Sequence, residues 1–250
     1  NWSYTHAFLA DATPYYFFGF RGQAYTSAHM KVELWIVNGW QTFGQWHEGR
    51  AGVYLWNWRP GGAVSIVNSV YAGQEAQGDP DSLRVYSDND VQVRYYHSSG
   101  PVLRSMALSL VGDIGYEHRG NAPSGAMGGI ALANRVEWTE RWKSALRGDF
   151  LYDRTQAISP RFPVGAAYPW QGTSPFFAAG VTATLDYWPS PWIVTRLEGS
   201  HRIANQPLFS GPGGITGPGG QLPASAAAAT FTPDLRHTDD RILFNVTLRL

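Results

Sequence analysis

The chain has 250 residues, 44% hydrophobic and 14% aromatic, with only 15% charged and a formal net charge of zero. That balance excludes a disordered chain and an electrostatic nucleic-acid binder, and the absence of cysteine excludes a disulfide framework, a thiolate zinc site and a cysteine nucleophile. No run approaches the roughly 18 to 20 consecutive apolar residues of a membrane helix, which excludes a helical membrane protein.

Read for period two, the sequence divides into a series of amphipathic runs, each near the length of a tilted strand that crosses a bilayer. YYFFGFRGQAYT (15–26) sets Tyr16, Phe18, Phe20 and Ala24 against Arg21, Gln23 and Tyr25, and MKVELWIV (30–37) sets Met30, Val32, Leu34 and Ile36 against Lys31, Glu33 and Trp35. GVYLWNW (52–58) and AVSIVNSVYAG (63–73) are apolar on both parities, so their faces stay unassigned. In DVQVRYY (90–96) Val91, Val93 and Tyr95 oppose Asp90, Gln92 and Arg94. Met106, Leu108, Leu110 and Ile114 then oppose Ser105, Ser109 and Asp113. Runs follow at 130–138 (Arg135 and Glu137 on the polar face), 143–152 (Lys143, Arg147, Asp149), 179–188 (Thr182, Thr184, Asp186), 192–200 (Arg196, Glu198) and 241–250 (Asn245, Thr247, Arg249). These are eleven strands by pattern, with NWSYTHAF as a twelfth or a loop remnant. With no initiator Met and no leader ahead of it, the chain is expected to be a processed or truncated product, its N-terminal part missing.

The connections alternate short and long. Short ones fall at 27–29, 59–62, 97–102, 139–142 and 189–191; long ones at 38–51, 74–89, 117–129, 153–178 and 201–240. Outer-membrane barrels keep this rhythm, with tight turns on the periplasmic side and loops outside, whereas a soluble sandwich has no reason to. The expected fold is therefore an all-β, antiparallel transmembrane β-barrel of about 12 strands, a single domain over 1–250. Its segment 201–240, containing GPGGITGPGGQLPASAAAA, reads as a long Gly/Pro/Ala-rich extracellular loop. A phosphate cradle is rejected there because the GK[ST] ending is lacking.

With the apolar faces toward lipid, Arg21, Lys31, Glu33, Arg94, Asp113, Arg135, Glu137, Arg147, Asp149, Arg196 and Glu198 line the lumen. An Arg or Lys at the lipid midplane costs roughly 2 to 4 kcal/mol, so collecting charges on one parity is the physical expectation. The mixed signs predict neighbouring ion pairs and weak overall ion selectivity. The bland alternative, the wet face of a soluble sheet, would need about ten apolar faces to share one core with no helix to cover them. Trp58, Trp138, Trp142, Trp188 and Trp192 stand beside short turns, as an interfacial aromatic girdle would.

Catalytic patterns are poor: GxSxG, HExxH and paired histidines at metal spacing are all missing from the sequence. HSSG (97–100) reads as a polar hairpin turn rather than a hydrolase pair. GDPD (78–81) and SDND (87–90) lack full calcium-loop spacing and read as solvated loop acids. No enzyme activity, cofactor or metal is expected.

NWSYTHAFLADATPYYFFGFRGQAYT followed by KVELWIVNGW resembles the OmpL-like putative β-barrel porins of Gram-negative outer membranes. The resemblance rests on Asn1 to Thr5, Pro14, Phe18 to Arg21, Val37 to Trp40 and the later Arg196 to Glu198. It implies a porin-like channel without naming a solute, and family members carry a signal peptide and further N-terminal strands. Leu250 departs from the commoner aromatic terminus. Together the residues and the resemblance point to an outer-membrane porin for passive diffusion of small hydrophilic solutes, with a non-conducting scaffolding barrel as the alternative. The implied partners are membrane lipid, lipopolysaccharide and such solutes, not nucleic acid. Room is left for a homo-oligomer or an envelope-protein complex, and for a lumen either open or plugged by inward-folded loops.

Overall fold

Alternating faces force each strand to bury one side, and eleven strands do so in one sheet. The computed structural model describes residues 2–43, 49–75, 78–120, 123–155, 175–211 and 234–248. After a short helix α1 (Phe8–Ala12), the strands are β1 (Gly19–Ser27), β2 (Met30–Val37), β3 (Ala51–Gly61), β4 (Val64–Gly73), β5 (Leu83–His97), β6 (Ser105–His118), β7 (Gly125–Glu137), β8 (Trp142–Asp153), β9 (Phe176–Ser190), β10 (Ile193–Ala204), the two-residue pair β11 (Phe209–Ser210) and β12 (Leu235–Arg236), and β13 (Thr238–Leu248). The large sheet runs β1 to β10 in sequence order and then β13, every neighbour antiparallel. Tight turns alternate with long connections except around β6, where β6 and β7 extend into the expected long connection and leave only residues 119–124, fewer than the 98–104 that join β5 to β6. Because the count is odd, the end strands β1 and β13 run in the same direction.

Burial is inverted relative to a water-soluble sheet. Phe20, Leu34, Ile36, Ile114, Leu146, Val181, Leu197, Ile242, Phe244 and Leu248 are exposed, while Glu33, Asp113, Asp149, Asp153, Asp186 and Glu198 are buried. Lipid is the solvent that makes both choices favourable at once. The outer face also shows two aromatic belts. Trp58, Trp138, Trp142 and Trp192 are exposed beside the turns, and Tyr116, Tyr152 and Phe177 are exposed at the other end. Trp142 and Tyr152 are ten residues apart on β8. At about 3.3 Å per residue and a tilt of about 40°, that is roughly 25 Å along the membrane normal, the height of an outer-membrane apolar band. Trp188 departs from the expected girdle: it lies on the inner parity, with Lys143 Nζ 4.9 Å from its ring centre.

Four further expectations change. NWSYTHAF is not a strand; Trp2 to Ala12 enters the interior as coil and helix. The first run starts at Gly19 rather than residue 15, because Phe17 turns inward onto Trp35 and Tyr71. SDND lies within β5, not in a loop. The 201–240 connection is shortened, since β10 continues to Ala204 and β13 begins at Thr238; its central part, like Arg249 and Leu250, lies outside the described residues. Outside the apolar band nothing demands alternating hydrophobicity, so strand ends there carry no period-two pattern.

The unassigned runs 52–58 and 63–73 also acquire faces. Tyr54, Trp56 and Trp58 share the parity of exposed Leu34, and Val53 and Leu55 point inward. Both parities are apolar because the lumen beside β3 and β4 holds an aromatic cluster rather than water. Phe17 stacks on Tyr71 (5.9 Å, 6°), and Trp40 meets Tyr71 and Tyr86 edge-on, each at 4.9 Å.

Candidate functional site

Eleven strands spaced about 4.8 Å apart would make a flat sheet some 48 Å wide. Residues 2–17 nevertheless touch inner-face groups from β2 to β10, so the sheet curls around them. Tyr4 N and Thr5 N donate to the two oxygens of Glu198 at 2.6 and 2.9 Å, and Thr5 Oγ1 donates to the same carboxylate at 2.6 Å. Arg147 Nη1 and Nη2 donate to the carbonyls of Thr5 (2.6 Å) and His6 (3.0 Å). Phe17, at the other end of the segment, packs on Trp35 of β2 and Tyr71 of β4.

The helix α1 exists because of this surround. Five residues are far too few to pass the helix nucleation barrier alone, and Ala7 offers no side-chain cap. Asp149 Oδ2 supplies one from across the lumen by accepting Phe8 N at 3.0 Å. Phe8, Leu9 and Ala12 are buried, and the Arg202 guanidinium lies 4.1 Å over the Phe8 ring while reaching Asp11 at 3.7 Å. Gly129 permits the close approach: a Cβ there would meet Leu9 Cγ at 2.9 Å and Phe150 O at 3.0 Å. Thr13 N closes the helix on Leu9 O (3.1 Å), and Pro14 prevents its continuation.

Register assigns the sequence-predicted residues to the same inner face. Arg21 and Lys31 flank Glu33, at 3.8 and 2.5 Å. Arg135 and Lys143 share Glu137 at 3.4 and 3.0 Å, Arg147 pairs with Asp149 at 3.1 Å, and Arg196 forks onto Asp186 with 2.6 and 2.8 Å bonds. Arg94 lies opposite inward Ala107 near a turn, and Asp113 opposite Asp88. The lumen residues that sequence reasoning missed are Arg84 with Arg119 on Glu117, Arg202, and Asp88. Extending the parity of Arg94 back through Asp90 would have found Asp88, and extending that of Glu198 forward would have found Arg202.

The N-terminal segment leaves a cavity of about 380 Å³ along the β5–β8 wall. It is lined on one side by Trp2, Thr5 and His6, and on the other by Gln92, Ser109 and Arg147. One polar cluster interrupts the lipid face. Asn68 Nδ2 donates to Asn89 Oδ1 (2.7 Å), and Asn89 Nδ2 to Gly112 O (3.0 Å), so these amides bring their own partners into the bilayer.

The family model described as "Putative beta-barrel porin-2, OmpL-like" matches residues 1–235. No functionally curated protein matches the chain in sequence. Its structure is similar to that of OmpT, an in-vitro folded outer membrane protein of Vibrio cholerae, with a TM-score of 0.56 and 8% identity over 92% of this chain and 64% of that one. The chain thus spans slightly less than two thirds of that protein's length. An inverted antiparallel sheet curled about a charged interior, matched over nearly its whole length by one family model, makes this chain a member of the OmpL-like putative β-barrel porins of the bacterial outer membrane.

Proposed function

We propose that the barrel passes small hydrophilic solutes across the outer membrane by passive diffusion, with Arg21, Lys31, Glu33, Arg94, Asp113, Arg135, Glu137, Arg147, Asp149, Arg196 and Glu198 lining the route. The observation that carries this reading is the segregation of charge. Every one of these side chains shares the inner parity, and Arg147 among them borders the cavity that the N-terminal segment leaves unfilled. A chain serving only as a lipid-embedded support gains nothing from burying so many ion pairs, because apolar packing of the same volume is equally or more stable. The long connections lie outside and control entry, and the surrounding partners are outer-membrane lipid and lipopolysaccharide. The test is single-channel recording of the refolded full-length protein in planar bilayers. Discrete conductance steps are expected; a folded barrel without any would overturn the reading.

A second reading is favoured by the occupied lumen: a non-conducting barrel that docks other envelope proteins. It predicts no conductance together with a stable hetero-complex after mild solubilisation.

A further inference from the structure

The lipid face of β4, β5 and β6 carries a polar group whose hydrogen-bonding capacity is only partly used. Asn68, Ser87 and Asn89 share the outward parity: Asn68 pairs with Asn89 in the ladder, and Ser87 with exposed Ile114. Tyr116 of the aromatic belt pairs with Val85, four residues before Asn89. At about 3.3 Å per residue and a tilt of about 40°, the amides lie roughly 10 Å inside the apolar band. Asn68 Nδ2 donates to Ser87 Oγ (3.3 Å) and Asn89 Oδ1 (2.7 Å), and Asn89 Nδ2 to Ser87 Oγ (3.2 Å) and Gly112 O (3.0 Å). Every amide hydrogen is thereby used, but one acceptor and one donor are left over. Among the described residues nothing donates to Asn68 Oδ1, and Ser87 Oγ accepts twice without an acceptor for its own proton. The bond to Asn89 holds the nitrogen end of the Asn68 amide toward Ser87, so the hydroxyl does not meet the oxygen end of that side chain. Hydrocarbon supplies neither partner, and an unmatched polar atom there is costly.

The leftover donor and acceptor are complementary to each other, which is the requirement for a self-matching contact between identical chains. Ser87 Oγ lies 3.3 Å from the Asn68 amide nitrogen, so the two groups sit at nearly one depth in the membrane. A two-fold axis along the membrane normal preserves depth and brings Ser87 of each copy to Asn68 Oδ1 of the other. Small residues admit the approach: a Cβ on Gly112 would meet nothing within 4 Å, and this low floor is rimmed by exposed Leu110, Ile114 and Ile130. The patch is also far from the edge strands β1 and β13, so further barrel strands would leave it uncovered.

We propose that the β4–β6 outer face is an interface between two copies of this chain in the membrane, closed by a reciprocal pair of Ser87–Asn68 hydrogen bonds. The test is sedimentation equilibrium of the refolded full-length protein in detergent micelles, with circular dichroism to verify the fold of each variant. The wild type should sediment as a dimer. Ser87→Ala deletes the donor in both copies and should raise the dissociation constant about tenfold, by the strength of hydrogen bonds between membrane-embedded segments. Asn68→Leu removes the acceptor, should weaken the dimer at least as much, and serves if Ser87→Ala does not fold. Leu197→Ala, at an exposed apolar position on β10, should leave the dimer unchanged. A monomeric wild type overturns the inference, and so does one that instead retains lipopolysaccharide through Asn68. A dimer that Ser87→Ala and Asn68→Leu leave intact, or that Leu197→Ala weakens as strongly, overturns the assignment of the interface to this face.

Discussion

The two walls of the lumen use the same residue types in opposite ways. On β8 to β10, Arg147, Asp149, Glu198 and Arg202 are consumed in holding the N-terminal segment, each bound to its backbone or packed on it. On β5 and β6, Asp88 and Asp113 stand opposite each other in the ladder, and Asp90 accepts from Gln92 and Ser109, two residues that line the cavity. A buried charge is tolerated when its partners are fixed. One wall is therefore an anchor, and the other holds its carboxylates away from the segment.

That contrast can be broken most strongly at Glu198. Glu198→Ala removes three charge-assisted bonds to Tyr4 and Thr5, which should cost docking of the segment roughly 4 kcal/mol, about a thousandfold in its docked population. Single-channel conductance should rise, and amide exchange at Tyr4 and Thr5 should accelerate; unchanged exchange would show that the wall is not an anchor. The same wall must also keep its lipid side apolar. Leu146→Arg should lose roughly 3 kcal/mol in denaturant titrations of the barrel folded into vesicles, whereas Ala133→Arg, beside the cavity, should lose under about 1 kcal/mol. Equal losses would mean the faces are misassigned.

Gly129→Val attacks the anchor by volume alone. The added carbons meet Leu9 and should cost about 2 kcal/mol of segment docking, read as the same exchange and conductance changes with no charge removed. The smallest effect is expected for Thr184→Val, which deletes one 3.0 Å bond to Glu198 and should shift the docked population about fivefold, or roughly 1 kcal/mol. If Thr184→Val matched Glu198→Ala, the carboxylate would not be the organising group.

The alternation in RILFNVTLRL and its ten predecessors was enough to establish strands, their order and which side meets lipid, because period two and the cost of charge in hydrocarbon are both local properties of the chain. Polar residues on the lipid parity blur that constraint, and so β5 outruns its legible pattern at Asp88, beside the Asn68–Asn89 pair, while β10 continues past its legible run to Arg202. Faces at β3 and β4 were unreadable for another reason, since inward Val53 packs in one apolar cluster with Phe17, Trp40 and Tyr71.

What only the tertiary structure decided is the use of each inner charge. Nothing in FLADA marks a helix, and nothing in the spacing of Glu198 or Asp149 announces that they receive Tyr4, Thr5 and Phe8 from across the lumen. Parity places a carboxylate on the inside; whether it finds a guanidinium, a backbone amide or no cation at all depends on which distant strand and segment the closing curvature brings within 3 Å. Hydrogen bonds form only near that distance.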